Sequence, residues 1–264
     1  MTDLRQPSLY IPHGGGPCFF MDDPRATWTG METFLRTLAT HLPERPKAIL
    51  IVSGHWETDG FAFTGGERPE LIYDYYGFPP HTYELRYDVP GSPALAAHAA
   101  ALLREAGLPA GLDSARGLDH GVFVPLKVAF PDADIPVVEM SVDRNLDPAL
   151  HIAAGRALAG LRDEGVLIVG AGMSFHNMRG YGDPRATEPS RRFDAWLAEA
   201  ATGAGATRGA ALIRWKDAPD AAYSHPREEH LLPLMVAAGA SDAAGEHIYS
   251  EVVMQTAISG FRFA

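Results

Sequence analysis

The chain has 264 residues, a length that fits one large domain or two small ones. Its residues are 46% apolar and 21% charged, which is an ordinary composition for a globular protein. The 33 acidic residues outnumber the 22 basic residues and give a net charge of −11. This balance argues against a general nucleic-acid binder, which needs a basic face. The single cysteine, Cys18, excludes an intrachain disulfide and a multi-cysteine zinc site.

The first seven residues are polar and lack the apolar core of a signal peptide. No run approaches the roughly 18 apolar residues that a membrane span needs. The low cysteine content fits a reducing compartment. We therefore expect a cytoplasmic protein that binds neither nucleic acid nor a membrane.

Short apolar runs bounded by turn residues predict buried strands, and patterned stretches between them predict helices. In chain order, the predicted strands are 8–11, 48–53, 137–142 and 166–171. The predicted helices are 23–41, 92–106, 148–161 and 190–201. Strands that alternate with helices predict an α/β fold with a central, mostly parallel or mixed sheet flanked by helices. We expect residues 1–264 to form a single domain.

Three of the eleven histidines come just after predicted strands. His13 follows the first strand, His55 the second and His176 the fourth. Ligands of such sheets bind where loops leave the carboxyl ends of the strands, so these imidazoles are expected to converge at one edge. Neutral imidazole is the commonest metal ligand in proteins, and three histidines with open positions make a catalytic site. The alternative for each is a histidine whose hydrogen bonds are satisfied within a loop.

The segment 225–230 holds two further histidines and two acids. His225 and His230 are five residues apart and would not share one face of a helix, so only one of them is expected to be a ligand. Glu228 and Glu229 fit an acidic first helical turn that complements the helix dipole.

Other candidates are weaker. Cys18 is either a thiolate nucleophile or, as we favour, a small buried apolar residue. His151 is expected to be at the surface or half-buried in a helix, and His247 in a polar loop. The chain has no complete dinucleotide-binding motif, phosphate-binding loop or nucleophile elbow.

Six motifs occur in order along the chain, each modest alone but specific as a set. They are His13-Gly-Gly-Gly-Pro17, Ser53-Gly-His55-Trp56-Glu57, Tyr87-Asp-Val-Pro90-Gly91-Ser92-Pro93, Leu118-Asp119-His120-Gly121, Ser174-Phe-His176-Asn177 and Glu229-His230-Leu231-Leu232-Pro233-Leu234. From about residue 8 to about residue 240, the chain resembles the DOPA-dioxygenase type of extradiol aromatic-ring-opening dioxygenases. This class III group also contains the catalytic subunit of protocatechuate 4,5-dioxygenase.

The resemblance implies a non-haem Fe(II) enzyme that opens a catecholic ring, DOPA-like or related, with O2 to a muconic semialdehyde. It implies that His13, His55 and His230 are metal ligands. It implies that His176 is the acid–base residue or a fourth metal contact, and that His120 is a second catalytic histidine. The implied partners are a small catechol and O2. The resemblance leaves open whether the chain forms a homo-oligomer.

Two features depart from the family pattern. The first loop reads Gly-Gly-Gly-Pro where many relatives have Gly-Ser-Pro or Gly-Thr-Pro. The third ligand position is His230 where the protocatechuate branch has a glutamate, which leaves His225 or Glu229 as substitutes. With three neutral ligands, Zn(II) competes with Fe(II) and can occupy the site in purified protein.

Two other functions remain as alternatives. One is a zinc-dependent hydrolase in which Glu57 or Glu229 is the base. The other is a non-catalytic metal-binding interaction protein of the same superfamily. For the dioxygenase, Asp119 is expected to orient His120. Four aromatic residues are expected to line the ring pocket or to pack in the core: Trp56, Phe78, Tyr83 and Phe175.

Overall fold

Eight strands form one sheet in this computed structural model, which describes residues 5–264. The strands are β1 (Ser8–Pro12), β2 (Ala48–Thr58), β3 (Phe61–Thr64), β4 (Ala110–Asp113), β5 (Val137–Asp143), β6 (Val166–Gly172), β7 (Gly245–Val253) and β8 (Thr256–Phe263). The helices are α1 (Thr29–Arg36), α2 (Pro93–Glu105), α3 (His120–Ala129), α4 (Pro148–Leu158), α5 (Thr187–Thr202), α6 (Gly205–Ile213), α7 (Ala221–Ser224) and α8 (Leu232–Gly239). Short 3₁₀ turns connect several of them.

The strand order is β4-β3-β5-β2-β6-β1-β8-β7. The four central strands, β5, β2, β6 and β1, coincide with the four predicted runs and pair in parallel. β3 joins β5 in antiparallel orientation, and β8 joins β1 in the same way and carries β7 at the edge. The predicted α/β fold with a mixed sheet flanked by helices is therefore confirmed.

Both faces of the sheet are covered by helices. Along β2, Ile49 and Ile51 pack in one hydrophobic core and Leu50 and Val52 in the other, and all four are fully buried. Successive side chains of a strand point to opposite faces, so the continuous apolar run reflects burial on both sides. Between residues 5 and 264, no helix is long and apolar enough to cross a membrane.

The helix predicted over 23–41 is wrong in its first part. Only Thr29–Arg36 is α-helical. The backbone N–H of Trp28 donates to Asp23 Oδ2 at 2.8 Å, and Ala26 has a φ of +54°. This side-chain hydrogen bond offers the backbone an alternative to the helix, so the segment before α1 is a turn.

The sequence predicts that His55 directly follows a strand. In the structure, His55 lies inside β2 instead. The pairing of β2 with β6 ends at Ser53, opposite Ala171, but β2 continues to Thr58 alongside β5. The register between β2 and β5 shifts between Val52 and Glu57. His55 therefore occupies an irregular part of β2, at the same edge of the sheet as His13, which directly follows β1.

Two glycines let the chain before α8 lie directly against this edge. A Cβ added to Gly172, at the end of β6, would lie 2.2 Å from the carbonyl oxygen of His230. A Cβ added to Gly54 in β2 would lie 2.5 Å from the carbonyl oxygen of Glu229. Only glycine permits such close backbone approach, so these positions bring His230 to the carboxyl ends of the strands.

Candidate metal centre

Three histidines from distant parts of the chain meet at the carboxyl edge of the sheet. The ring of His13 lies 5.1 Å from that of His55 and 5.2 Å from that of His230, between centroids. The Nε2 atoms of His55 and His230 are 3.2 Å apart. One nitrogen from each of the three residues lies within 4.8 Å of the others. The structure thus brings together the three residues that the sequence predicts as metal ligands.

The hydrogen bonds of His13 and His230 through Nδ1 leave a lone pair on Nε2 of each ring. His13 donates from Nδ1 to the carbonyl of Gly14 at 2.8 Å, and its buried Nε2 has no hydrogen-bond partner among residues 5–264. His230 donates from Nδ1 to Glu229 Oε1 at 2.9 Å, so its Nε2 also carries a lone pair. A buried nitrogen without a partner is costly, and a divalent metal would satisfy all three nitrogens together.

Burial sets the charge state of these histidines. It lowers the pKa of His13 and of His230 well below the usual value, and the neighbouring imidazoles lower both further. Burial followed by the charge of His120 lowers the pKa of His55 to about 4. The rings are therefore neutral at neutral pH, which is the form that binds metals.

Two more histidines flank the three. His120 is the first residue of α3, and its ring centroid lies 4.0 Å from that of His55. His176, on the loop after β6, stacks on His230 with ring centroids 3.4 Å apart and an angle of 17° between the planes. The predicted catalytic residues thus lie beside the predicted ligands.

Asp74 connects His55 and His120. Its Oδ1 accepts hydrogen bonds from His120 Nδ1 at 2.8 Å and from the backbone N–H of His120 at 2.9 Å. Its Oδ2 lies 3.7 Å from His55 Nδ1. Burial raises the pKa of the Asp74 carboxyl, but the hydrogen bonds and charge of His120 outweigh burial and lower this pKa to about 2. Asp74 is therefore an anion that keeps Nδ1 of His120 protonated.

Glu229 connects His230 and His176 in the same manner. Its Oε1 lies 2.9 Å from His230 Nδ1 and 3.4 Å from His176 Nδ1. Burial opposes ionisation, but hydrogen bonds from both histidines hold the pKa of Glu229 well below its usual range. Each carboxylate thus joins one predicted ligand to Nδ1 of one predicted catalytic histidine.

The interpretation of Glu228 and Glu229 as an acidic first helical turn is wrong. α8 begins only at Leu232, and Glu228 forms an ion pair with Lys216 at 2.6 Å. His225 is not near the centre: its Nε2 donates to the carbonyl of Ser174 at 2.9 Å. Of the two histidines in this segment, the structure places His230 at the centre.

The expected role of Asp119 is also wrong, because Asp74 takes it. Asp119 Oδ1 accepts from Ser53 Oγ at 2.8 Å, and its Oδ2 pairs with Arg116 at 2.9 Å. Beside it lies the fully buried Glu139. Burial and the charge of Asp119 raise the pKa of Glu139 well above its usual value. Sequence reasoning missed Asp74 because it is 46 residues from His120 and belongs to none of the motifs.

Comparisons with known proteins agree with this geometry. Residues 8–262 match the family described as "Catalytic LigB subunit of aromatic ring-opening dioxygenase". The chain belongs to this family. The expectation drawn from the six motifs is thereby confirmed, and the homologues support an aromatic ring-opening dioxygenase that acts on a small molecule with O2.

Several relatives of this LigB-family chain are curated proteins. "Dioxygenase tasH" of Hapsidospora irregularis is 40% identical over 257 residues, with 89% of this chain and 78% of the relative covered. "4,5-DOPA dioxygenase extradiol" of Beta vulgaris is 38% identical, with coverages of 93% and 90%. The protein of that name from Escherichia coli is 38% identical, with coverages of 92% and 88%. A solved structure of an uncharacterized protein from Escherichia coli K12 has a TM-score of 0.77 and 32% identity, with 98% of this chain and 100% of that chain covered.

Two of the four aromatic residues expected in the pocket belong to the interior of the LigB-family fold. Phe175 is fully buried, and Trp56 is 7% exposed beneath the guanidinium of Arg116. Phe78 and Tyr83 are half-buried and pack around Tyr75, whose ring lies 5.7 Å from that of His120. Aromatic side chains therefore surround the centre on the side of His120.

Three further residues considered in the sequence lie outside the centre. Cys18 is buried, and burial raises the pKa of its thiol, as expected of a small apolar residue. His151 is fully buried and not at the surface or half-buried, and both ring nitrogens are hydrogen-bonded: Nδ1 donates to the carbonyl of Asp147 at 2.7 Å, and Nε2 accepts from the backbone N–H of Asp143 at 3.1 Å. His247 lies in β7 and not in a loop, and its Nε2 is 2.8 Å from Ser259 Oγ.

Proposed function

We propose that this chain is a non-haem Fe(II)-dependent extradiol dioxygenase that opens a catecholic ring with O2 to a muconic semialdehyde. Residues 1–264 would act as a single catalytic domain. The observation that carries the proposal is the meeting of one nitrogen each from His13, His55 and His230 within 4.8 Å, with the buried Nε2 of His13 left without a hydrogen-bond partner among the described residues. The names of the curated relatives, which include 4,5-DOPA dioxygenases, favour a DOPA-like or related catechol as substrate.

His13, His55 and His230 would hold the metal, with His176 as a further contact or as the acid–base residue. Bound Fe(II) supplies coordination of the catechol and O2 and the electron transfer between them. Facial binding by three protein ligands leaves positions open for both substrates. The neutral ligands also suit Zn(II), which ranks above Fe(II) in general affinity, so zinc would occupy the site in purified protein and give an inactive form.

Proton movement would fall to His176 and His120. Each is oriented by a carboxylate at Nδ1, so each presents Nε2 to a catechol at the centre. His176 Nε2 would accept a proton from a catechol hydroxyl and return it when the ring opens. His120 supports it, because the Asp74 carboxylate accepts a hydrogen bond from its Nδ1 and orients the ring.

The hydrolase alternative lacks a free base. Glu57 accepts hydrogen bonds from both terminal nitrogens of Arg227. Glu229 contacts Nδ1 of His230 and of His176. Neither carboxylate is therefore available to take a proton from water, which a hydrolytic mechanism needs. The geometry favours a reaction in which the bases are histidines.

The test is anaerobic reconstitution with Fe(II), addition of DOPA and admission of air. We expect uptake of one O2 per catechol and a yellow product, and neither in the zinc-loaded protein. Fully iron-loaded protein that consumes no O2 with DOPA or with simpler catechols would contradict the proposal.

A further inference from the structure

His55 differs from the other two histidines of the candidate metal centre in how its ring is held. His13 and His230 each donate a hydrogen bond from Nδ1 to a neighbouring acceptor. The Nδ1 of His55 makes no hydrogen bond within residues 5–264, and the carboxylate of Asp74 is 3.7 Å away from it. The orientation of the His55 ring therefore depends on the backbone that carries it and on the groups packed against it.

Regular strand pairing does not hold this backbone. The pairing of β2 with β6 ends at Ser53, and the register between β2 and β5 shifts between Val52 and Glu57. Within this interval, the backbone N–H of His55 donates to Ser53 Oγ at 3.2 Å. A side-chain oxygen thus replaces a strand partner, and the Ser53 hydroxyl determines the path of the irregular segment.

Asp119 in turn fixes the Ser53 hydroxyl. Ser53 Oγ donates to Asp119 Oδ1 at 2.8 Å, and both residues are fully buried. A hydroxyl has a single proton, so its donation to the carboxylate leaves the lone pairs of Oγ for the N–H of His55. A hydrogen bond to a charged acceptor is also roughly twice as strong as a neutral one. Asp119 therefore acts on His55 through Ser53.

The Asp119 side chain is not used to cap the helix that follows it. Asp119 directly precedes α3, where an aspartate normally accepts a hydrogen bond from a backbone N–H of the first turn, yet its side chain makes no such bond. Its Oδ2 accepts instead from Arg116 at 2.9 Å, and this guanidinium lies 5.0 Å from the ring centroid of Trp56. The arginine balances the buried charge, and the other carboxylate oxygen is left for Ser53.

Gly121 lets the start of α3 pack against these groups and the His55 ring together. A Cβ added to this glycine would lie 2.7 Å from Ser53 Oγ and 2.9 Å from His55 Cδ2. The same atom would lie 3.2 Å from Asp119 Oδ1. Because only glycine permits such close approach, the hydroxyl, the carboxylate and the edge of the imidazole form one packed unit.

We propose that Asp119 is a positioning residue for the metal: through Ser53, it holds His55 in the orientation that binds the ion. The inference rests on the metal-binding part of the proposed function and gives Asp119 no role toward the substrate. Loss of a group that orients a metal ligand typically weakens metal binding by about 10- to 100-fold. The same loss is therefore expected when either Ser53 or Asp119 is altered.

The experiment measures the zinc dissociation constant by competition with a chromogenic chelator. Ser53→Ala and Asp119→Asn should each raise this constant about tenfold. The double variant should also stay near about tenfold, because the two residues act in series and not independently. Ser141→Ala is the matched control, since Ser141 is a fully buried serine of β5 whose Oγ bonds Thr58 and Ala62 instead. It should leave the zinc constant unchanged.

A second readout separates positioning from a general loss of stability. Cobalt(II) bound in place of zinc has visible absorption bands that report the geometry of its ligands. Ser53→Ala and Asp119→Asn should shift these bands, whereas Ser141→Ala should not, even where urea unfolding shows an equal loss of stability. A wild-type zinc constant in folded Ser53→Ala protein would overturn the role of Asp119. Additive effects of the two substitutions, or an equal effect of Ser141→Ala, would overturn it as well.

None of these measurements requires ring opening. A wild-type protein that binds zinc but, when loaded with iron, opens no catechol would refute the proposed reaction. The zinc constants and the cobalt spectra would still decide on Asp119.

Discussion

Asp74→Asn tests whether a carboxylate outside the sequence motifs supports the reaction. Asp74 accepts two hydrogen bonds from His120, at 2.8 and 2.9 Å, and its side chain is 25% exposed. Hydrogen bonds to charged groups contribute roughly 1.5–3 kcal/mol, and partial exposure places this one near about 1.5 kcal/mol. That figure corresponds to about tenfold in rate. The asparagine keeps one acceptor oxygen for His120, while the charge and the second oxygen, 3.7 Å from His55 Nδ1, are replaced by a neutral amide N–H group.

The assay is kcat for catechol ring opening in the iron-loaded variant, followed by product absorbance. We expect a fall of about tenfold with little change in KM. ¹⁵N NMR of the zinc-loaded protein should show that Nδ1 of His120 is less fully protonated. Asp88→Asn is the matched control, because Asp88 is 74% exposed and pairs only with Arg86 among the described residues. Wild-type kcat with an unchanged His120 tautomer would refute the role of Asp74.

Two further predictions concern His176 and Glu139. His176→Ala should retain the metal, measured by elemental analysis, and lose roughly 10²–10⁴ in kcat, and unchanged turnover would remove His176 from the mechanism. The raised pKa of Glu139 means that the folded chain holds a proton that the unfolded chain releases above about pH 4.5, so stability falls as pH rises from there toward the folded pKa. Glu139→Gln keeps the shape and should flatten this decline in urea unfolding between about pH 5 and 8. A slope equal to that of the wild type would show that Glu139 is ionised when folded.

The central sheet could be predicted from the sequence because its strands are buried on both faces. The run Ala48–Val52 is apolar throughout, short and rich in β-branched residues, which is the pattern of a strand between two helical layers. The hairpin between β7 and β8 was harder to predict. Its turn residues Met254 and Gln255 both have positive φ, which glycine or asparagine normally signals.

The residues of the candidate metal centre could be predicted in part, because the order of the parallel strands determines which loops meet at the carboxyl edge of the sheet. His13 follows a strand whose neighbours are parallel, so its position at the carboxyl edge follows from topology. The residues alone leave His225 and His230 as alternatives, and the family resemblance selects His230, since its approach depends on the contact of its backbone with Gly172. Asp74 and Glu229 could not be assigned, because their partners are chosen by tertiary packing and not by spacing along the chain.

Crystals soaked anaerobically with Fe(II), with diffraction measured on both sides of the iron absorption edge, test the central claim most directly. The account predicts one anomalous peak per chain within bonding distance of imidazole nitrogens of His13, His55 and His230. A peak elsewhere, or an iron bound without any one of these three residues, would contradict it.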